Sequence, residues 1–214
     1  MGKINQGILG GVSGKVGNVI GSSWKGIDYL RIMPQSVADP KTPAQLNQRL
    51  KFALVEGFVQ PMSQFVRVGF KAYAIKMSGF NAAIAYNIRN AVGFIQPAYV
   101  LNYPNALVSR GTLEIAATPS TVASAGEIVT FNWLNPAGAG NASDTDTALV
   151  LLYNESKKQC VYLGDVATRA DLTQAISVPA SWDGDLIHCF LSFMSETNGT
   201  VSNSGYAGAV TILA

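Results

Sequence analysis

Charge, histidine and cysteine are all scarce in this chain, and each scarcity narrows what it can do. Charged residues make up 13% of the 214 positions, about half the share of an ordinary soluble domain. A surface that poor in charge favours association over life as a free monomer. The single histidine, His188, excludes a metal site built on two imidazoles and leaves one candidate base for a catalytic triad. Cys160 and Cys189 are the only cysteines; two reduced, buried thiols are expected over a disulfide between facing strands. No apolar run approaches the roughly 18 residues of a membrane span. The start, MGKINQGILGG, has neither an apolar leader core nor a cleavage signature, so synthesis in the cytoplasm is expected. Gln6 stands where a myristoylation signal needs Ser or Thr.

Glycine, by contrast, is plentiful, and it crowds into GILGGVSGKVGNVIGSSWKGIDYLR near the N-terminus. The Gly14-Lys15 pair suggests a phosphate loop, but Leu9 and Val16 occupy positions that require Gly and Ser/Thr. No glycine triplet there has dinucleotide-binding spacing either. The run alternates instead, with Val16, Asn18 and Ile20 on one parity and Gly17, Val19 and Gly21 on the other. A strand over 16–24, a tight turn at Lys25-Gly26 and a second strand over 27–32 make a hairpin. Its glycines clear space for a neighbouring backbone or ring. Edge pairing with another subunit is the expected use, with Val16, Gly17, Val19, Gly21, Trp24 and Tyr29 as the interface and the two aromatics as anchors.

Thr42-Pro43-Ala44-Gln45 has the form of a capping box with proline at the first helical position. Leu46, Leu50, Ala53, Leu54 and Phe58 follow at helical spacing and predict a helix over 43–59. Gln60-Pro61 should break it. Met62, Phe65, Val66 and Phe70 predict a second helix, and Ser78 caps a third that carries Phe80, Ala83, Ile84, Ile88 and Val92 and ends at Gly93. Seven short strands follow, over 112–117, 128–133, 147–153, 159–163, 172–178, 186–194 and 206–213. That number and spacing predict an immunoglobulin- or fibronectin-like sandwich with Trp133, Phe190 and Phe193 in its core. The fold class is therefore α+β: a Gly-rich hairpin and helices over 1–110, then an all-β sandwich over 111–214.

The charge changes sign at the same place. Residues 1–110 hold 12 Lys/Arg and 3 acids, net +9, whereas 111–214 hold 3 Lys/Arg and 10 acids, net −7. Opposite halves can attract neighbouring copies, or a basic face can meet nucleic acid. Lys15, Lys25, Arg31, Arg49 and Lys51 are the candidate polyanion-binding residues. The nearby aromatics Phe52, Phe70, Tyr73 and Tyr86 fall mostly in apolar helical stripes and read as core. His188 and Cys189 are adjacent on a strand, so their side chains point to opposite faces and cannot form a couple. The i, i+2 carboxylates Asp144/Asp146 and Asp183/Asp185 lack the further ligands of a calcium loop. The sequons at Asn141, Asn154 and Asn198 read as turn chemistry. No catalytic residue, cofactor or metal is implied.

Four stretches are familiar: GILGGVSGKVGNVIGSSWKGIDYLRIMP, DPKTPAQLNQRLKFALVEGFVQPM, GFNAAIAYNIRNAVG and VSNSGYAGAV. Together they resemble a domain-of-unknown-function family of small proteins from Bacteroidota and their phages, most specifically in Gly-Ser-Ser-Trp-Lys-Gly and Thr-Pro-Ala-Gln. The resemblance covers essentially the whole chain, implies no activity or catalytic residues, and favours a non-enzymatic protein with a virion as one setting. The expected function is assembly, with copies of itself or other particle proteins as partners. Nucleic-acid binding by the basic half is the alternative, and an adhesive or carbohydrate-binding sandwich rests on fold analogy alone.

Overall fold

Glycine shapes the first segment as the sequence suggests, although by a different path. A computed structural model describes residues 2–4, 11–24, 27–36, 39, 41–135 and 140–213, which fall into two units, 1–42 and 43–214. The first unit is an antiparallel sheet of β1 (Lys3–Ile4), β2 (Val12–Val16), β3 (Val19–Trp24) and β4 (Ile27–Ile32), paired in sequence order. The strand expected over 16–24 is broken, because Gly17 takes φ +59° and turns the chain with Asn18. Val16 then pairs with Val19 across a two-residue hairpin.

The second unit begins with α1 (Pro43–Val59), the span that its start signal and apolar spacing predict. After a turn at Pro61 come α2 (Ser63–Gly69) and α3 (Gly79–Asn90), the latter capped by Ser78 Oγ accepting from Asn81 N at 3.2 Å. α3 stops short of Gly93. Val92 and Gly93 belong instead to a hairpin of β5 (Val92–Ile95) and β6 (Ala98–Leu101), which the sequence reading lacked.

The last hundred residues form two sheets. One runs β7 (Ala117–Ser124), β8 (Ile128–Leu134) and β11 (Thr173–Ser177), with β8 central. The other runs β10 (Gln159–Leu163), β9 (Thr147–Asn154), β12 (Leu186–Met194) and β13 (Gly205–Thr211). This three-plus-four strand order is an immunoglobulin/fibronectin-like sandwich. Its first strand lies later than the expected 112–117. Pro119 has no N–H to give a ladder, and it is tolerated because β7 ends its sheet and slips register between Ala117 and Ser120.

Between the sheets Val129, Phe131 and Trp133 meet Val150, Leu152, Ile187, Cys189, Leu191 and Phe193. The opposite face of the larger sheet is covered too. Leu149, Leu151, Tyr153 and Phe190 pack on Val55, Phe58, Val59 and Met62 at the end of α1 and on Phe65 and Val66 of α2. Phe190 thus faces the helices and not the sandwich interior. The unit has three layers, helices on sheet on sheet, and β9 and β12 are buried on both faces.

The boundary expected near residues 109–111 therefore falls inside this unit. Ser109 is buried, and its Oγ donates to Ser202 O at 2.8 Å, while Val108 N donates to Ser204 Oγ at 3.0 Å. Arg110 N donates to Gly69 O at 2.8 Å. A Cβ on Gly111 would lie 1.8 Å from Val201 O, so only glycine lets the chain pass there. Strands and helices are stitched together at this point, and the sign change in charge marks no linker.

Candidate assembly surface

The first unit carries all six residues assigned to an interface, and among its described residues no second layer covers the sheet. Cross-strand register decides which side chains share a face. Lys15, Ile20 and Arg31 lie in one row, and Ser22 and Tyr29 in the next, so cations and an aromatic share one side. Val19 with Ile32, and Gly21 with Leu30, line the other. Among the described residues of this sheet only Gly21 is buried. On β4 every residue is exposed, with Ile27 at 65%, Leu30 at 62% and Ile32 at 79% of their surface. Among the described residues this sheet buries little apolar surface of its own.

Two interface expectations change. β3 is paired to β4 along its length and to β2 over Val19–Gly21, so most of its backbone groups are already used. The open edge is β4, which among the described residues pairs with β3 alone. Gly21 also proves to be an internal clearance, since a Cβ there would lie 1.8 Å from Val12 O. Val16 and Tyr29 remain exposed, Gly17 sits in the turn and Val19 is half-buried. Trp24 ends β3 opposite Ile27, and its side chain lies outside the described residues.

The polyanion candidates do not gather on one element. Lys15 and Arg31 lie on the first sheet, Arg49 and Lys51 on α1, and Lys25 outside the described residues. Lys51 Nζ sits 5.0 Å from the Tyr99 ring centre. Phe70 is buried, and Tyr73 and Tyr86 flank the Arg110 guanidinium at 4.0 and 5.0 Å. These aromatics hold cations of their own chain.

A second cluster, unforeseen in the sequence, surrounds His188. Its ring stacks on Tyr103 at 3.5 Å between centres, Nδ1 lies 2.9 Å from Tyr206 Oη, and Nε2 lies 3.7 Å from Glu155. Burial lowers the His188 pKa below its ordinary 6.5, outweighing the pull of Glu155. Burial also pushes Tyr153 up to about 12, Cys160 to about 11 and Cys189 to about 12. Both cysteines are free thiols, and at neutral pH such thiols stay protonated and weakly nucleophilic.

The His188 shift has a stability consequence. The unfolded chain takes up a proton near pH 6.5 while the native state resists it, so stability falls as pH drops below about 6.5 toward the lower native value. Urea midpoints measured from pH 8 to pH 5.5 are expected to decline in the native protein and to flatten in His188→Phe.

The acidic pairs act as loop locks. Asp146 is buried and bonded to the buried Arg169, Nε to Oδ2 at 3.2 Å, and Asp144 accepts from Asn135 Nδ2 at 2.7 Å. Asp185 accepts from Lys157 and from Asn154 Nδ2. No group of three metal-ligating side chains occurs among the described residues, and no helix among them is long and apolar enough to cross a membrane.

Comparison with known proteins adds a family to this geometry. A model described as a family of unknown function, DUF6266, matches residues 11–208. The chain belongs to DUF6266. The DUF6266 match starts ahead of β2 and ends within β13, so it spans β2–β4 and all but the end of the three-layered unit. Among solved structures, the fibronectin type III domain of human collagen alpha-1(XX) chain is 11% identical with a TM-score of 0.32, covering 49% of this chain and 88% of that one. The sandwich assignment rests on strand order. No curated protein matches the chain.

Proposed function

We propose that this DUF6266 chain is a non-enzymatic assembly protein that associates with copies of itself, or docks into a larger particle such as a virion, through its N-terminal sheet. The observation that supports the reading is β4: among the described residues it pairs on one side only, and Ile27, Leu30 and Ile32 on its two faces are exposed. Such an edge invites another strand, and soluble proteins rarely leave one long, flat and apolar. Main-chain hydrogen bonds supply affinity in strand addition, and the apolar rows exclude water from them.

Light scattering on the full-length chain at low and high salt tests the reading. The expected result is a mass well above the 22.6 kDa of one chain at both salts, because strand pairing and apolar burial are little screened. A mass of one chain at both salts overturns it. Under that outcome, retention on DNA that falls steeply with salt would make nucleic acid the partner.

A further inference from the structure

The second unit contains a groove suited to receiving a strand. It lies between α2 and the outer end of β10, with a volume of about 450 Å³. Leu149, Tyr162 and Met194 line it from the sheet and Phe65 and Val68 from α2, and the exposed Asp165 lines it just past the end of β10. β10 ends its sheet, with no strand on its outer side among the described residues. The Phe65 and Tyr162 rings meet edge to face at 5.6 Å, which holds the helix beside that edge. An open sheet edge alongside a helix is a geometry that accepts an extended segment as an added strand.

Building on the assembly reading, we propose that the occupant is β4 of a second copy of this chain. The register of the first sheet places Ile27, Tyr29 and Arg31 on one face of β4. Ile27 and Tyr29 match the apolar lining, and Arg31 matches the exposed Asp165. The Arg31–Asp165 match is local, since residues 1–42 carry 5 Lys/Arg against 2 acids, net +3, while the acceptor unit, 43–214, carries 10 Lys/Arg against 11 acids, net −1. Donor strand and acceptor groove are different surfaces of one chain, so the contact is head-to-tail and makes a ring or a filament rather than a two-fold dimer.

Charge exchange tests this placement. Arg31→Asp and Asp165→Arg each put like charges together and are expected to weaken association at least about tenfold. The double variant, and an equimolar mixture of the two single variants, restore opposite charges at the contact and are expected to recover association. Light scattering over a concentration series reads the effect, with unchanged melting curves as the folding control. Single variants that associate like the native chain, while Leu30→Asp is monomeric, overturn the groove and leave the assembly reading standing. Weakening that neither the double variant nor the mixture repairs also overturns the Arg31–Asp165 placement. A monomeric native chain overturns both readings.

Discussion

Leu30→Asp is expected to reduce the protein to single chains while leaving the three-layered unit folded. Leu30 is 62% exposed on β4, so the substitution removes little packing within its own chain. An assembly that covers the Leu30–Ile32 face of β4 buries the same position, and two losses add. Burying a leucine contributes about 1.5–3 kcal/mol, and desolvating an unpaired polar group costs roughly 1–3 kcal/mol more. Together they raise the dissociation constant about a hundredfold or more. Val122→Asp is the matched control, since Val122 on β7 is 56% exposed and lies outside the proposed contact. Light scattering should separate the two variants, and a Leu30→Asp chain that keeps the native mass would remove the Leu30–Ile32 face of β4 from the interface.

The second large effect concerns stability. Arg169 is 1% exposed, yet every part of its guanidinium is used. Nε bonds Asp146, Nη2 donates to Glu114 O at 2.9 Å, Nη1 faces Ile115 O at 3.5 Å, and the plane lies 3.8 Å from the Phe193 ring centre. These bonds tie the strandless residues 112–116 to the sandwich. Removing one partner of a buried ion pair strands the other charge and costs about 3–5 kcal/mol. Arg169→Ala should therefore lower the melting temperature by roughly 10 °C. Arg169→Lys should recover little, because an ammonium cannot serve carboxylate and carbonyls as a planar fork does. Arg169→Met combined with Asp146→Asn should lose less than the two single changes summed, since it leaves no charge unpaired. A melting temperature for Arg169→Ala within a degree of the native protein would show that the pair contributes nothing.

The regular elements were largely legible, and the reason is local. Thr42-Pro43-Ala44-Gln45 starts a helix and Pro61 follows its end, each signal acting within a few residues of its own position. The strand ranges 159–163 and 186–194 coincide with β10 and β12, because period-two patterning and turn residues act over a handful of positions. The misreadings were of a different kind. Glycine at position 17 is compatible with a strand interior or a turn, and only the pairing of Val16 with Val19 decides for the turn. The apolar spacing of α1 marks a helix but not which of its turns are covered: Leu46 and Leu50 are exposed, since the helix meets the sheet through its last turns.

The domain boundary shows the limit most plainly. Ala148-Leu149-Val150-Leu151-Leu152-Tyr153 is an unbroken apolar run, unlike the alternation of Ile128–Leu134, and such a run marks a strand covered on both faces. That signal was present, but it does not name the second cover. The groove left no sequence signal at all: Phe65 and Tyr162 lie about a hundred positions apart and meet only when α2 packs beside β10.

By itself the sequence determined the elements, the poverty of charge and the failed phosphate-loop and dinucleotide motifs, because each depends on residue type and spacing along the chain. The tertiary structure alone decided that the helices join the sandwich, that β4 and not β3 holds the open edge, and that an acceptor groove exists. Those outcomes depend on which apolar face covers which, a question settled by burial between segments far apart in sequence.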